Sequence, residues 1–313
     1  MAAADAEVAV REQGPGPWTG GQVWPAARKL LDFLTTADGA GWAFLTHATP
    51  TGTAPPPASD SHADPTAAAA GSGAQPRLRA LELGSGTGWL GLNLARHAQR
   101  HPRWPLCGAH VEMTEQAGEA MAWLCENVAQ GEAQLQARVA AAPAPATKDA
   151  ATGRSMSLGC AVLDWCDVAV YQRTAAAAPV DVVLGSDLLY LDEHIALLAG
   201  VFAAFLRPPN ETQRPARFVL YCHTFHRYDH LDLRFFNHLV RDAGFLVDEV
   251  CYSPGDGTSF ALRPWAAVLA AEAFLEELFP EKRPAVLLIR DAATVGDAGT
   301  DEAARIRALG RGF

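Results

Sequence analysis

Short apolar runs alternate with amphipathic stretches along most of this 313-residue chain. The apolar runs have the length and composition of buried strands, and the stretches between them repeat their apolar positions with the spacing of helices. Such alternation is typical of a parallel sheet covered by helices on both faces. The pattern predicts seven strands, over 78–83, 106–114, 158–163, 180–186, 216–223, 245–251 and 284–290.

The amphipathic stretches predict five helices, and local signals mark two of their ends. Pro25 suits the first turn of a helix, and Gly244 suits the residue that follows one. The predicted helices cover 25–36, 88–100, 116–130, 192–206 and 229–243. Together the elements predict an α/β fold with a seven-stranded, doubly wound, Rossmann-like sheet. Its ligands are expected at the carboxyl ends of the central strands.

Two stretches interrupt this pattern, residues 48–76 and about 140–156, and both consist mainly of Ala, Pro, Gly, Ser and Thr. This composition does not bury enough apolar surface to fold alone. We therefore expect two disordered loop insertions in a single domain that spans 15–292. Residues 1–14 are predicted to be a disordered N-terminus, and 293–313 a C-terminal tail.

Composition and charge limit the partners that the protein is expected to bind and the cellular compartment in which it is expected to work. No apolar run is long enough to cross a bilayer, so no membrane association is expected. The net charge of -10 opposes binding to a nucleic-acid backbone. The start of the chain carries acids where a secretory signal carries Lys or Arg, and the six cysteines form no Cys-x-x-Cys pair. We expect a monomeric cytoplasmic protein, with the nucleus as a further location.

A glycine-rich turn joins the first predicted strand to the next helix. Its sequence is Glu82-Leu-Gly84-Ser85-Gly86-Thr-Gly88. Closely spaced glycines let backbone N–H groups face a ligand without a Cβ in the way. The turn therefore predicts a nucleotide-like cofactor.

The turn alone leaves two cofactors open. The segment from Gly86 to Gly91 also fits the GxGxxG pattern of NAD sites, and Glu115, 24 residues after Gly91, suits a ribose-binding acid. An NAD-dependent oxidoreductase thus remains an alternative. Glu82 favours S-adenosylmethionine, because that cofactor carries a sulfonium and an ammonium but no phosphate, whereas a carboxylate would repel a pyrophosphate.

Further motifs lie before the first predicted helix, at the end of the second strand and on the helix after it, and at the ends of the third and fourth strands. They are Val23-Trp24-Pro25, His110-Val-Glu-Met-Thr-Glu115, Leu124-Cys-Glu-Asn127-Val128, Leu163-Asp164-Trp165 and Leu184-Gly-Ser186-Asp187-Leu-Leu-Tyr190. With the glycine-rich turn, they resemble the methyltransferase-like 21 family of seven-β-strand, class I methyltransferases, which modify lysine in non-histone proteins. The resemblance covers about residues 18–290 without the two insertions. Glu115 stands where relatives usually have Asp, and Ser186 where Ala is commoner.

The resemblance implies S-adenosylmethionine as cofactor and a pocket for it at these motifs. Glu115 is expected to accept hydrogen bonds from both ribose hydroxyls, and Trp165 to face the adenine, whose amino group Asp164 accepts. The full set of expected cofactor-binding residues is Trp24, Glu82, Gly84, Ser85, Gly86, Gly88, Glu115, Asp164, Trp165 and Ser186.

The resemblance further implies that Asp187 and Tyr190 are the catalytic residues, and that they grip a lysine of a protein substrate. Methyl transfer is an in-line displacement that needs no metal. The spacing of His223 and His226 is typical of metal ligands, but at a strand end the two rings would not converge. Methylation of arginine, histidine or a small molecule stays open, as does a cofactor-binding module without catalytic activity.

Overall fold

The structure is a computed structural model, and it describes most of the chain outside the Ala- and Pro-rich stretches. The described residues are 7–12, 21–35, 78–100, 108–141, 155–177, 179–208, 216–252, 260–272, 274–275 and 281–294. The predicted insertion over 48–76 lies outside them, as do most of the second insertion and all but the first two residues of the predicted tail.

Strands and helices alternate along the described chain. The helices are α1 (Pro25–Thr35), α2 (Trp89–Arg100), α3 (Glu119–Ala141), α4 (Val168–Ala177), α5 (His194–Leu206), α6 (Asp229–Asn237) and α7 (Trp265–Ala271). The strands are β1 (Leu78–Leu83), β2 (Gly108–Glu115), β3 (Ser155–Val162), β4 (Val182–Ser186), β5 (Phe218–Phe225), β6 (Phe245–Tyr252), β7 (Phe260–Pro264) and β8 (Arg283–Asp291). A π-helical turn, His238–Asp242, extends α6.

All these strands form one sheet in the order β3-β2-β1-β4-β5-β8-β6-β7. Strands β1 to β5 run parallel, whereas β8 lies antiparallel between β5 and β6. The predicted α/β, doubly wound class is confirmed, but the predicted number of seven strands is wrong for the described chain. The additional strand is β7, a short edge strand antiparallel to β6 that ends in Pro264.

Two apolar layers enclose the sheet, one on each face. Because both faces are covered, β5 is buried along its whole length and its sequence is almost continuously apolar. On one face α1 contributes Leu30 and Leu34, and on the other α5 contributes Leu198 and Phe202; all four side chains are fully buried. Among the described residues, no helix has the length and apolarity needed to span a membrane.

Several element bounds differ from the sequence prediction. Helix α3 continues to Ala141 instead of ending near residue 130, and β3 begins at Ser155, so both elements enter the predicted second insertion. Helices α4 and α7 were not predicted. Helix α4 buries only Tyr171 and Ala175, so its sequence carries little helical periodicity. Helix α7 has only 7 residues.

The N-terminal segment, residues 7–12, packs on the fold where the sequence predicts a disordered N-terminus over 1–14. Val8 is fully buried. Its backbone N–H donates to Asn93 Oδ1 at 2.8 Å, and the backbone N–H of Arg11 donates to Asn127 Oδ1 at 2.9 Å. The amide side chains of α2 and α3 thus bind this backbone as a neighbouring strand would.

Candidate functional site

A cavity of about 560 Å³ lies where β1 to β5 end. This is the position at which ligands bind in open α/β sheets. The structure brings eleven of the predicted site residues to its wall: Trp24, Glu82, Gly84, Ser85, Gly86, Glu115, Asp164, Trp165, Ser186, Asp187 and Tyr190.

The glycine-rich turn packs closely against the loop that follows β4. Gly84 has a φ of 55°, in the left-handed region that favours glycine. A Cβ on Gly84 would lie 2.7 Å from Leu188 Cδ2 and 3.4 Å from Trp165 Cζ2. Backbone hydrogen bonding fixes the turn, because the Ser85 N–H donates to the Thr114 carbonyl at 2.8 Å. The two loops therefore form one continuous wall of the cavity.

Gly88 is the predicted cofactor-binding residue that does not line the cavity. Its N–H donates to the Ser85 carbonyl at 2.8 Å, and its φ is 76°. A Cβ here would lie 2.8 Å from Leu124 Cδ1 and 3.3 Å from Met113 Sδ. Gly88 thus allows the start of α2 to pack closely against Leu124 of α3 and Met113 of β2. The sequence motif alone does not distinguish this packing role from contact with a ligand.

Glu82 places a carboxyl group in the wall of the cavity. Its Oε2 accepts a hydrogen bond from the Gly91 N–H at 3.0 Å. Burial raises the pKa of Glu82 to about 8, and the charge of Glu115 adds to the rise, while the hydrogen bonds from Gly91 and Ser85 oppose it. A positively charged ligand group beside Glu82 would favour its ionised form.

Glu115 is the last residue of β2, the strand that pairs with β1. Its Oε2 accepts the Gly86 N–H at 3.0 Å, and its Oε1 accepts the Gln116 N–H at 2.9 Å. Burial raises the pKa of Glu115. Since each carboxylate oxygen has more than one lone pair, both oxygens can still accept a hydroxyl. The group is fixed in a position to bind two neighbouring hydroxyls.

The end of β3 supplies an acid and an aromatic wall. Asp164 Oδ1 accepts the Cys166 N–H at 2.9 Å, which orients the side chain. The ring of Trp165 meets His194 edge-on at 5.7 Å, and His194 meets Tyr190 in the same manner at 5.0 Å. Burial lowers the pKa of His194. Sequence reasoning missed His194, although it follows the Tyr190 motif at the start of α5.

Asp187 is held more tightly than the sequence indicated. It has a φ of 50°, and its N–H donates to the Cys222 carbonyl at 2.9 Å. Its Oδ1 accepts the Thr224 N–H at 2.8 Å, and its Oδ2 accepts the Thr224 hydroxyl at 2.9 Å. Arg227 donates to the same Oδ2 at 2.7 Å. Backbone strain of this kind is frequent at functional sites.

The loop after β5 completes the wall with Arg227 and Tyr228. The Arg227 guanidinium lies 4.9 Å from the ring centre of Trp24. Lys282 also lines the cavity. The cations Arg227 from this loop and Lys282 from just before β8 therefore share the cavity with the acids of the first four strand ends.

His226 turns away from the cavity. Its Nδ1 lies 3.0 Å from Asp229 Oδ1, and its Nε2 lies 3.1 Å from Glu272 Oε2. His223 pairs with a different carboxylate, so the two rings do not share a ligand. Within the described ranges, no group of three or more His, Cys, Asp or Glu side chains has a metal-binding arrangement.

A buried polar chain lies beneath the loop after β4. The Leu188 N–H donates to the Tyr221 hydroxyl at 3.2 Å, and this hydroxyl lies 3.0 Å from His223 Nδ1. His223 Nε2 in turn lies 2.8 Å from Asp232 Oδ1. Burial raises the pKa of Tyr221. The chain links the backbone next to Asp187 to the first turns of α6.

Residues 3–145 match the model of a family described as Lysine methyltransferase. The matched segment contains the Trp24 motif, the glycine-rich turn and the end of β2, so the predicted resemblance is confirmed over this segment, which ends before the motifs that follow β3 and β4. The chain is a methyltransferase. No curated protein matches this methyltransferase significantly.

Solved structures of methyltransferases resemble this methyltransferase distantly. Precorrin-6y C5,15-methyltransferase from Geobacter metallireducens GS-15 is 10% identical, with a TM-score of 0.34 over 69% of this chain and 80% of its own. The human methyltransferase 10 domain containing protein is 10% identical, with a TM-score of 0.33 over 68% and 71%. The glycopeptide N-methyltransferase MtfA, complexed with sinefungin, is 12% identical, with a TM-score of 0.30 over 68% and 80%.

Proposed function

We propose that this methyltransferase uses S-adenosylmethionine to methylate a lysine side chain of a non-histone protein. The observation that carries the proposal is the convergence of four strand-end motifs on one cavity. In this assignment Glu115 binds the ribose, Asp164 and Trp165 bind the adenine, and Glu82 faces the positively charged end of the cofactor.

Two features favour S-adenosylmethionine over NAD. The Glu82 carboxyl accepts the Gly91 N–H in the first turn of α2, where a dinucleotide site would bind its pyrophosphate. In addition, β8 lies antiparallel between β5 and β6, whereas the sheet of dinucleotide-binding folds runs parallel through these positions.

The residues of the cavity suit a displacement reaction that needs orientation more than acid–base chemistry. When bound, S-adenosylmethionine supplies a methyl group attached to a positively charged sulfur. The glycine-rich turn and Glu115 hold the donor in place, while Trp24 and Trp165 restrict access of water. Asp187 and Tyr190 align the acceptor nitrogen, and this preorganisation lowers the entropic part of the barrier.

The mouth of the cavity suits a protein acceptor. Leu191 and Tyr228 line the cavity and are also 46% and 43% exposed. Exposed apolar side chains beside a polar site are typical of surfaces that contact another protein. The family description supports lysine as the acceptor residue.

Cofactor choice is tested by thermal unfolding. S-adenosylhomocysteine at about 100 times its dissociation constant stabilises a folded protein by roughly 2.7 kcal/mol. We expect a corresponding rise in Tm with S-adenosylhomocysteine and none with NADH. A rise with NADH alone would establish the oxidoreductase alternative instead.

Acceptor choice is tested by incubating the protein with radiolabelled S-adenosylmethionine and a cell extract. We expect label on lysine of an extract protein, located by mass spectrometry, and loss of that label with the Asp187→Ala variant. Label on arginine, histidine or a small molecule would replace the lysine assignment. Donor binding without any labelled product would identify a binding module.

A further inference from the structure

Arg227 occupies the position on Asp187 that a cationic acceptor would need. Its Nη2 donates to Asp187 Oδ2 at 2.7 Å, and the Asp187 side chain is only 1% exposed. The guanidinium also lies 4.9 Å from the Trp24 ring centre. A carboxylate with a nearby aromatic face is the combination that binds an alkylammonium ion. In this structure, that combination is filled by the protein itself.

Asp187 does not depend on Arg227 for its orientation. Thr224 donates to it twice, through its N–H to Oδ1 and through its hydroxyl to Oδ2. The Asp187 N–H is bonded separately to the Cys222 carbonyl. Removal of the guanidinium would therefore leave a fixed, buried carboxylate with room for another cation.

The charges around this ion pair oppose a second cation. Arg227 compensates the charge of Asp187, and Lys282 adds a further positive group to the cavity wall. Glu82, the acid that β1 adds to that wall, has its pKa raised to about 8 and so carries little charge near neutrality until a cationic cofactor group pairs with it, and the other acids of the wall, Glu115 and Asp164, lie at the ends of β2 and β3. Nearby positive charge disfavours the protonated form of an amine. The neutral amine is also the form with a lone pair for attack.

We propose that Arg227 is a specificity-determining residue that excludes the ammonium form of the acceptor and admits the neutral amine. This inference rests on the proposed lysine acceptor. The acceptor ammonium gives its proton to bulk water on entry. Its nitrogen lone pair then forms the bond to the methyl carbon as the bond from that carbon to sulfur breaks; the electron pair of the broken bond stays on sulfur, which becomes a neutral thioether, and the nitrogen becomes a positively charged methylammonium.

The test measures binding of n-butylamine, an analogue of the lysine side-chain end, to protein loaded with S-adenosylhomocysteine at pH 7. At this pH an alkylamine is almost entirely protonated, as lysine is with its pKa of about 10.4. In a titration followed by NMR, Arg227→Gln should bind n-butylammonium at least about tenfold more tightly than the wild type. Arg227→Lys, which keeps the charge, should behave as the wild type does.

Two further measurements test whether the gain in n-butylammonium affinity comes from the Asp187 carboxylate, which Arg227→Gln leaves without its guanidinium partner. The double variant Arg227→Gln with Asp187→Asn should lose the gained affinity. 1-Butanol, a neutral molecule of similar shape, should bind equally to the wild type and to Arg227→Gln. Equal n-butylammonium affinity of wild type and Arg227→Gln, or no binding by either, would overturn the inference. An S-adenosylhomocysteine thermal shift recorded first on each variant separates this failure from a failure of the proposed function, and shows that each variant is folded.

Discussion

Two buried carboxyl groups in the cavity differ in the donors that surround them. Glu82 accepts the Gly91 N–H, and burial raises its pKa to about 8. Asp187 accepts two hydrogen bonds from Thr224 and one from the Arg227 guanidinium. Glu82 is therefore the group that gains its charge when a cationic ligand binds, whereas Asp187 already has a cationic partner.

The raised pKa of Glu82 predicts a pH-dependent stability. Between about pH 4.5 and 8 the folded chain keeps a proton on Glu82 that the unfolded chain has lost. The free energy of unfolding therefore falls as the pH rises through this window. Glu82→Gln should flatten the slope by up to about 1.4 kcal/mol per pH unit in urea unfolding series.

The matched control for this series is Glu126→Gln, because Glu126 is an exposed acid of α3. It should leave the slope unchanged. The Glu82→Gln variant should keep a residual slope, since burial also raises the pKa of Glu115. A wild-type stability that rises between pH 5 and 8 and a Glu82→Gln series parallel to it would contradict the protonated carboxyl.

The two anchored oxygens of Glu115 predict a specific defect in donor binding. Glu115→Ala removes the acceptor for the Gly86 N–H together with the proposed ribose contact. We expect S-adenosylhomocysteine to bind at least about tenfold more weakly by calorimetry, with a smaller change in turnover at saturating donor. Glu112→Ala is the control, because Glu112 pairs with His110 on the same strand and does not line the cavity.

At the scale of elements, Asn127 joins three parts of the structure. Its side chain bonds to the backbone N–H and carbonyl of Arg11, and it also donates to the Thr87 carbonyl in the glycine-rich turn at 2.9 Å. Asn93 binds the N-terminal segment in the same way, through the backbone of Val8, but its remaining bond stays within α2. The position of α3 is thereby coupled to the glycine-rich turn, which is the proposed cofactor site.

This difference predicts that Asn127→Ala and Asn93→Ala separate stability from donor binding. Each change removes three hydrogen bonds of a buried amide, so each should cost about 2–3 kcal/mol in chemical unfolding. Only Asn127→Ala should also weaken S-adenosylhomocysteine binding, because only Asn127 holds Thr87. Equal losses of donor affinity in both variants would point to a general loosening of the fold.

The sequence predicted elements best where burial leaves a local pattern. Strand β1 spans the predicted 78–83, because its apolar run follows the Ala- and Pro-rich stretch and is ended by Gly84. Strand β7 was missed because an edge strand of 5 residues ending in Pro264 has almost no pattern to read. The ion pair between Asp187 and Arg227 was missed for another reason. Its members lie 40 residues apart, and no local spacing encodes their contact.

At the scale of the whole molecule, chain order and spatial order differ at one strand. Strand β8 comes last among the described elements, yet it lies inside the sheet between β5 and β6. Its residues from Ala285 to Asp291 are buried. The strand therefore joins the parallel part of the sheet, which bears the cavity, to β6 and β7.

A truncation series follows from this position. A chain ending after Lys282 lacks β8, so β5 and β6 lose their shared neighbour and their buried side chains lose their packing. We expect no cooperative thermal unfolding and no response to S-adenosylhomocysteine. A chain ending after Thr294 keeps every described strand and should retain both properties. Cooperative unfolding of the shorter chain would refute the central role of β8.

The place of β8 also matters while the protein is being synthesised. The ribosome releases β5 and β6 before residues 283–291 have emerged, so both strands first present unpaired, apolar edges. Such edges pair readily with other chains. Until β8 inserts, we expect the nascent methyltransferase to bind chaperones that recognise extended apolar segments, and we expect its cavity to be completed only after translation has passed β8.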